Sequence, residues 1–269
     1  MKKRGLKRIG ILGCGWLGTQ LALTLKAQKW EIKVSKTTTD GTQAFKQQGW
    51  NSFRILLTEE GPQGDLSFFN ALDQLVISIP PSRKGSSSYS AQIKTLIYSL
   101  QSHTKCRILL LSSTSVYGTE SGKFDENSIP NPQTPASKEL LLAENTILQS
   151  KNSGVIVRLG GLVGEDRNPI FQLQHKLIPN PRGRINFIHQ LDAVNGILTL
   201  LSKTERKGVY NLVSPHHPIR EDYYTFMAKK HKLPTPVFAN QDPVVERWIE
   251  ASKIAKETRF QYQVDNLLI

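Results

Sequence analysis

Cysteine, acidic charge and long apolar runs are what this chain has least of, and each shortage excludes something. Only two cysteines occur, Cys14 and Cys106. They lack metal-ligand spacing and are too few for a disulfide framework, so no zinc module or disulfide scaffold is expected and a reducing cytoplasm fits. No apolar stretch reaches the ~20 residues that a membrane-spanning helix needs. Lys2, Lys3, Arg4, Lys7 and Arg8 ahead of Ile11-Leu12-Gly13-Cys14 mimic an export signal, even a lipoprotein box. Only Ile9 to Gly13 separates Arg8 from Cys14, however, shorter than the ~7–15 residues of a signal core. The expectation is a cytoplasmic protein with no membrane partner.

Acidic residues number 22 against 35 lysines and arginines, a net charge of +13. That excess attracts anions such as dinucleotides, phosphorylated substrates or nucleic acid. There is no dense basic run and no nucleic-acid motif, so specific nucleic-acid binding is not expected. No segment repeats and none is of low complexity; Gly85-Ser86-Ser87-Ser88 reads as a mobile loop. The 269 residues suffice for one large α/β domain, or a core with a small appendage.

What is present is an alternation of strand and helix patterns. Arg8–Leu12 is a β-type run, and Gly15–Lys26 places Leu17, Leu21, Ala22 and Leu25 on one helical face. Further strands are expected at Glu31–Lys36, Phe53–Leu57, Gln74–Ile79, Arg107–Ser112, Val155–Leu159 and Val209–Val213. Helices are expected at Ser90–Leu100, Ser137–Gln149, Ile219–Lys230 and Val244–Lys256. Near-continuous apolar strands between helices imply a doubly wound α/β fold built on a parallel sheet. The domain expectation is a Rossmann core over residues 1–165. Residues 166–269 return to the core at about 185–213 and form a small substrate-facing cap.

Gly13-Cys14-Gly15-Trp16-Leu17-Gly18 follows the first strand and opens the first helix. Gly13 permits the tight turn, Gly15 lets backbone approach a pyrophosphate, and Gly18 lets the helix pack closely on the sheet. In that context the six residues read as a dinucleotide-binding loop. An NAD-selective site usually carries an acidic residue ~20 positions later. Here the second strand ends Ser35-Lys36-Thr37, and no carboxylate follows until Asp40. A lysine among hydroxyls suits a 2′-phosphate, so NADP is the expected cofactor and NAD the alternative. Ile79, Pro80 and Pro81 are expected to line the same site. No metal is expected.

From Leu111 onward the chain resembles the extended and atypical short-chain dehydrogenase/reductases, the NAD(P)-dependent epimerase/dehydratase-like proteins. The resemblance rests on Ser112-Ser113-Thr114-Ser115-Val116-Tyr117-Gly118, on Phe124-Asp125-Glu126 ahead of Lys138, and on Val157-Arg158-Leu159-Gly160-Gly161. Ile188-His189-Gln190-Leu191-Asp192 and Gly208-Val209-Tyr210-Asn211 continue it. The GCGxLG loop and short length are most similar to the YeeZ-like group.

The resemblance implies that Ser113 bonds the substrate oxygen and that Lys138 contacts the cofactor. It also implies a tyrosine four residues before that lysine, where Thr134 stands instead. A threonine hydroxyl does not ionise near neutral pH, whereas a phenol starts near pKa ~10 and is lowered by a cation. Three readings stay open: Tyr117 donates the proton from another direction, another group does so, or the protein binds a dinucleotide without turning it over. Arg167, Arg182 and Arg184 are expected to border an anionic substrate, with a nucleotide sugar as one such class. The expected assembly is a monomer or homodimer. The activity expected is that of an oxidoreductase or epimerase/dehydratase, with a catalytically silent dinucleotide-binding regulator as the alternative.

Overall fold

A computed structural model describes residues 7–81, 88–100, 106–152, 154–240 and 244–269. Lys2, Lys3, Arg4 and the Gly85–Ser87 loop lie outside the described residues. In chain order the elements begin β1 (Arg8–Leu12), α1 (Trp16–Ala27), β2 (Glu31–Lys36), α2 (Thr39–Gln47), β3 (Ser52–Thr58), β4 (Gly61–Gly64), β5 (Gln74–Ile77), α3 (Tyr89–Ser99) and β6 (Arg107–Ser113). They continue β7 (Gly122–Phe124), α4 (Pro135–Leu148), β8 (Gly154–Leu159), β9 (Gly161–Val163), α5 (Ile170–Leu173), β10 (Leu177–Ile178), β11 (Phe187–His189) and α6 (Gln190–Ser202). The last are β12 (Gly208–Leu212), α7 (Arg220–Lys230), β13 (Val237–Phe238), β14 (Arg247–Ile249) and α8 (Ser252–Thr258).

The large sheet has the order β12-β8-β6-β5-β1-β2-β3-β4. Pairs β6/β5, β5/β1, β1/β2 and β2/β3 are parallel, and β3/β4 is an antiparallel edge. The chain adds strands outward from β1 through β2 and β3, then crosses to β5 on the other side of β1. The ends of β1 and β5 therefore form the topological switch point, where open α/β sheets bind ligands. Strands β5 and β8 are buried at every position, as a sheet covered on both faces requires. Helix α1 buries Leu17, Gly18, Leu21, Ala22 and Leu25, the face its spacing predicts.

The chain divides into two interleaved compact units rather than at one boundary near residue 165. The first comprises Met1–Ser112, Thr134–Val157 and Ile197–Val209; the second comprises Ser113–Gln133, Arg158–Gly196 and Tyr210–Ile269. The first holds β1 to β5, α1 to α4 and the glycine loop. In the second, short parallel pairs β9/β11 and β10/β13 share a core that includes Ile170, Ile178, Tyr223 and Met227, and β7/β14 is a third parallel pair.

One helix expectation is corrected. Val244–Lys256 is not continuous helix, since Arg247–Ile249 is strand β14 and helix begins only at Ser252. Its backbone groups are taken by partners distant in sequence. Gly122 N donates to Glu246 O, Glu250 N to Phe124 O, and the Asn186 amide both donates to Arg247 O and accepts from Ile249 N. Helical i→i−4 bonding is displaced by these contacts. Among the described residues, no helix is long and apolar enough to cross a membrane.

Candidate functional site

In the first unit the glycine loop sits at the end of β1. Gly13 has φ +91°, and a Cβ there would meet Ile79 Cγ1 at 2.7 Å, so glycine is required. A Cβ on Gly18 would lie 3.0 Å from Gly13 O, the close approach expected between helix and loop. Gly15 differs: a Cβ there would meet nothing within 4 Å. The space before the loop is open. Gly15 is the N-cap of α1, no side chain caps that end, and no acidic residue occupies the first turn. An uncapped helix N-terminus facing open space suits an anion.

Ser35 holds the loop from below. Its hydroxyl accepts from Gly13 N at 3.0 Å and its carbonyl from Cys14 N at 3.0 Å. Ser35 is 1% exposed, so the expectation that it contacts cofactor directly is corrected to a brace. Lys36 donates through Nζ to Cys14 O at 2.6 Å, and its ammonium lies 4.1 Å from the centre of the Phe45 ring. A fixed positive charge thus stands beside the loop. Thr37 is exposed, and its carbonyl accepts from Arg54 Nε at 3.3 Å. Arg54 is the cross-strand partner of Lys36 on β3. It was not anticipated, because a sequence shows a strand without showing its neighbour. Cys14 is buried, and burial pushes its thiol pKa up despite the hydrogen bond shared with Thr19 and the charge of Lys36, so it is a small packing residue.

Lys138 also belongs to the first unit, exposed in the first turn of α4. Thr134 is the N-cap of that helix. Its hydroxyl accepts from Ser137 N at 3.1 Å, and Ser137 Oγ accepts in return from Thr134 N at 3.0 Å, a reciprocal cap with Pro135 following. The Thr134 hydroxyl, four residues before Lys138, therefore caps a helix N-terminus. Two glutamates of α4 anchor it. Glu144 accepts from Ser112 Oγ at 2.5 Å, buried. Burial opposes charge on Glu139, but bonds from Ser90 N and Ser88 Oγ outweigh it and hold the carboxyl below its usual range.

Ser113 and Tyr117 fall in the second unit. Ser113 Oγ accepts from Ser115 N at 3.1 Å, which leaves its hydroxyl proton available to an acceptor. The expectation of Tyr117 as proton donor is corrected. Its residue is 1% exposed, its ring stacks on Phe124 at 5.7 Å, and its hydroxyl donates to Asn211 Oδ1 at 2.9 Å. Burial raises its pKa, although the Arg158 guanidinium 4.8 Å from the ring works the other way. Tyr117 packs the turn. Arg247 of β14 also holds that turn, its Nη2 donating to Thr114 O.

The three arginines expected at the substrate meet separate partners. Arg182 pairs with Glu221 at 3.8 Å. Arg184 donates to His217 O at 3.1 Å and lies 5.6 Å from the Trp248 ring centre. Arg167 exchanges backbone bonds with Gly164. His216 Nδ1 accepts from Leu267 N, and the His217 ring stacks on Trp248 at 3.9 Å. Among the described residues no group of three or more His, Cys, Asp or Glu is placed to hold a metal.

No family model matches the chain. Two curated relatives do: protein YeeZ of Escherichia coli strain K12 and protein YeeZ of Escherichia coli O157:H7. Each is 34% identical over 270 residues and aligned across 98% of both chains. Among solved structures, UDP-glucuronic acid 4-epimerase from Bacillus cereus in complex with NAD superposes with a TM-score of 0.78 at 19% identity, covering 97% of this chain and 94% of that one. dTDP-glucose 4,6-dehydratase from Bacillus anthracis in complex with NAD gives 0.76 at 16% identity, with 97% and 94% covered. A functionally unknown protein from Silicibacter pomeroyi gives 0.77 at 20%, with 97% and 95% covered. The structural likeness establishes the Rossmann-type fold, and 34% identity across 98% of both chains shows that the chain belongs to the YeeZ family.

Proposed function

We propose that the chain binds a nicotinamide dinucleotide on the Gly13–Gly18 loop, NADP in preference to NAD, and works as an oxidoreductase or epimerase/dehydratase on a small anionic substrate. The observation that carries the reading is the uncapped N-terminus of α1 behind Gly15, with open space where a Cβ would project. The residues fit a pyrophosphate: backbone can approach at Gly15, and Lys36 supplies charge beside the loop. The preference for NADP rests on Lys36, Thr37 and Arg54 clustering at the ends of β2 and β3. Ile79, Pro80 and Pro81 follow β5 at the switch point and would line the same site.

Once bound, the nicotinamide supplies or accepts a hydride. Lys138 would hold the dinucleotide by its ammonium, and Ser113 would donate its hydroxyl proton to a substrate oxygen. Arg167, Arg182 and Arg184 remain proposed for an anionic substrate. The structural neighbours named for UDP-glucuronic acid and dTDP-glucose make a nucleotide sugar the first class to try. A cytoplasmic monomer or homodimer is part of the proposal.

A specific observation favours a second reading, a silent dinucleotide-binding regulator. Thr134's hydroxyl is engaged in a helix cap and Tyr117's phenol is buried against Asn211. General acid–base help is worth ~10²–10⁴-fold, so a site without a proton donor would bind and not turn over. Incubation with sugar nucleotides and each cofactor, followed by product analysis, separates the two. A new product that is lost in Ser113→Ala supports the enzyme; tight dinucleotide binding with every substrate unchanged supports the regulator.

A further inference from the structure

The second unit holds a half-open pocket of about 220 Å³ that the dinucleotide reading does not use. Its apolar wall includes Val163, Met227, Val264 and Leu267. Small-molecule sites of this kind are mostly apolar with a few converging polar groups. Three polar groups on the wall, Tyr223, His189 and Lys230, are held so as to donate.

Tyr223 is fully buried, and its oxygen accepts from Asn168 Nδ2 at 2.8 Å. The orientation of that amide is set because Asn168 Oδ1 accepts from Ile170 N at 3.1 Å. The phenolic proton is then left to be donated, and no acceptor for it is found among the described residues. His189 accepts Leu191 N–H on Nδ1 at 3.3 Å, so the neutral ring carries its proton on Nε2. Burial lowers the His189 pKa, against the charges of Asp192 and Glu165 and together with that of Lys230, which favours this neutral donor form. At the rim the Lys230 ammonium donates to Ile269 O and has two further protons to give. The carboxylate on the wall, Glu165, is exposed to water, where its repulsion is screened.

We propose that this cavity binds a small monocarboxylate, its oxygens received by Tyr223, His189 and Lys230 and its short apolar body lying on Val163, Met227 and Leu267. Two buried or half-buried donors without a described acceptor, beside an ammonium with protons to spare, call for an acceptor-rich anion. The restricted volume calls for a body of a few carbons. This site stands within the second unit and does not depend on what the glycine loop binds.

The test uses the full chain and isobutyrate as probe, with isobutylamine as the cation of the same shape. Saturation-transfer NMR and calorimetry should detect isobutyrate and not isobutylamine. Tyr223→Phe and His189→Gln, each verified as folded by circular dichroism, should each weaken isobutyrate at least tenfold, and Leu267→Trp should abolish it by filling the cavity. NADPH titrated against the same variants should bind as it does to the unaltered chain, so a failure of the glycine-loop reading shows separately. Absence of isobutyrate binding, equal binding of isobutylamine, or undiminished binding to both Tyr223→Phe and His189→Gln would overturn the proposal.

Discussion

Two glycines of one loop serve opposite purposes. Gly13 is needed by the fold, having positive φ and Ile79 Cγ1 at 2.7 Å from an added Cβ. Gly15 has negative φ and open space, so the fold tolerates a side chain there and a bound phosphate would not. Gly13→Ala should therefore lower stability by about 2–3 kcal/mol. Gly15→Ala should leave the thermal midpoint unchanged and weaken dinucleotide binding about tenfold or more, about 1.4 kcal/mol. Thermal unfolding and a cofactor titration on both variants check the contrast. At Tyr117 the structure assigns packing. Tyr117→Phe leaves Asn211 Oδ1 without its donor, so it should cost about 1 kcal/mol in urea unfolding while dinucleotide affinity stays the same. The glycines and the missing tyrosine were legible from motif spacing. Arg54 and the brace role of Ser35 were not, because both depend on which strand lies beside which.

At the scale of elements, local patterns located seven of the eight strands of the large sheet and helices α1, α3, α4 and α7 to within about two residues, since an apolar period needs no knowledge of partners; α2, α6 and the short strands were missed. Residues 244–256 show where that fails. Strand β14 exists because β7, Asn186 and Phe124 supply its hydrogen bonds from far along the chain. Arg247 then reaches from β14 to Thr114 O and fixes the turn that bears Ser113. Arg247→Ala should raise hydrogen exchange of amides in 113–124 and leave those of β1 and β2 protected.

Beside β14, His217 stacks on Trp248, and its Nδ1 and Ile185 O lie 3.1 Å apart. Burial first of all pushes its pKa from the ordinary 6.5 down to about 4, against the hydrogen bond to Ile185 and the charge of Glu250 and with that of Arg184. Between those values the unfolded chain takes up a proton that the folded chain refuses. The stabilising contribution is present above 6.5 and is lost as pH falls towards 4. Urea unfolding should show about 2 kcal/mol less stability at about pH 5 than at about pH 7 from this group, and His217→Phe should flatten that slope.

Across the whole molecule, alternating apolar strands and helices were enough to expect a doubly wound sheet, and the structure has it with β1 at the switch point. The interleaving of two units was not legible. A boundary drawn in sequence cannot show that residues 113–133, 158–196 and 210–269 cluster together, because those contacts join segments with no shared local pattern. The net charge of +13 and the uncapped helix behind Gly15 point at the same class of ligand on two length scales. Calorimetric titration of the chain with NAD, NADH, NADP and NADPH tests this most directly. The account predicts saturable binding, tighter for the NADP forms, lost in Gly15→Ala and reduced towards the NAD level in Lys36→Glu. Failure of all four dinucleotides to bind a folded chain would contradict it.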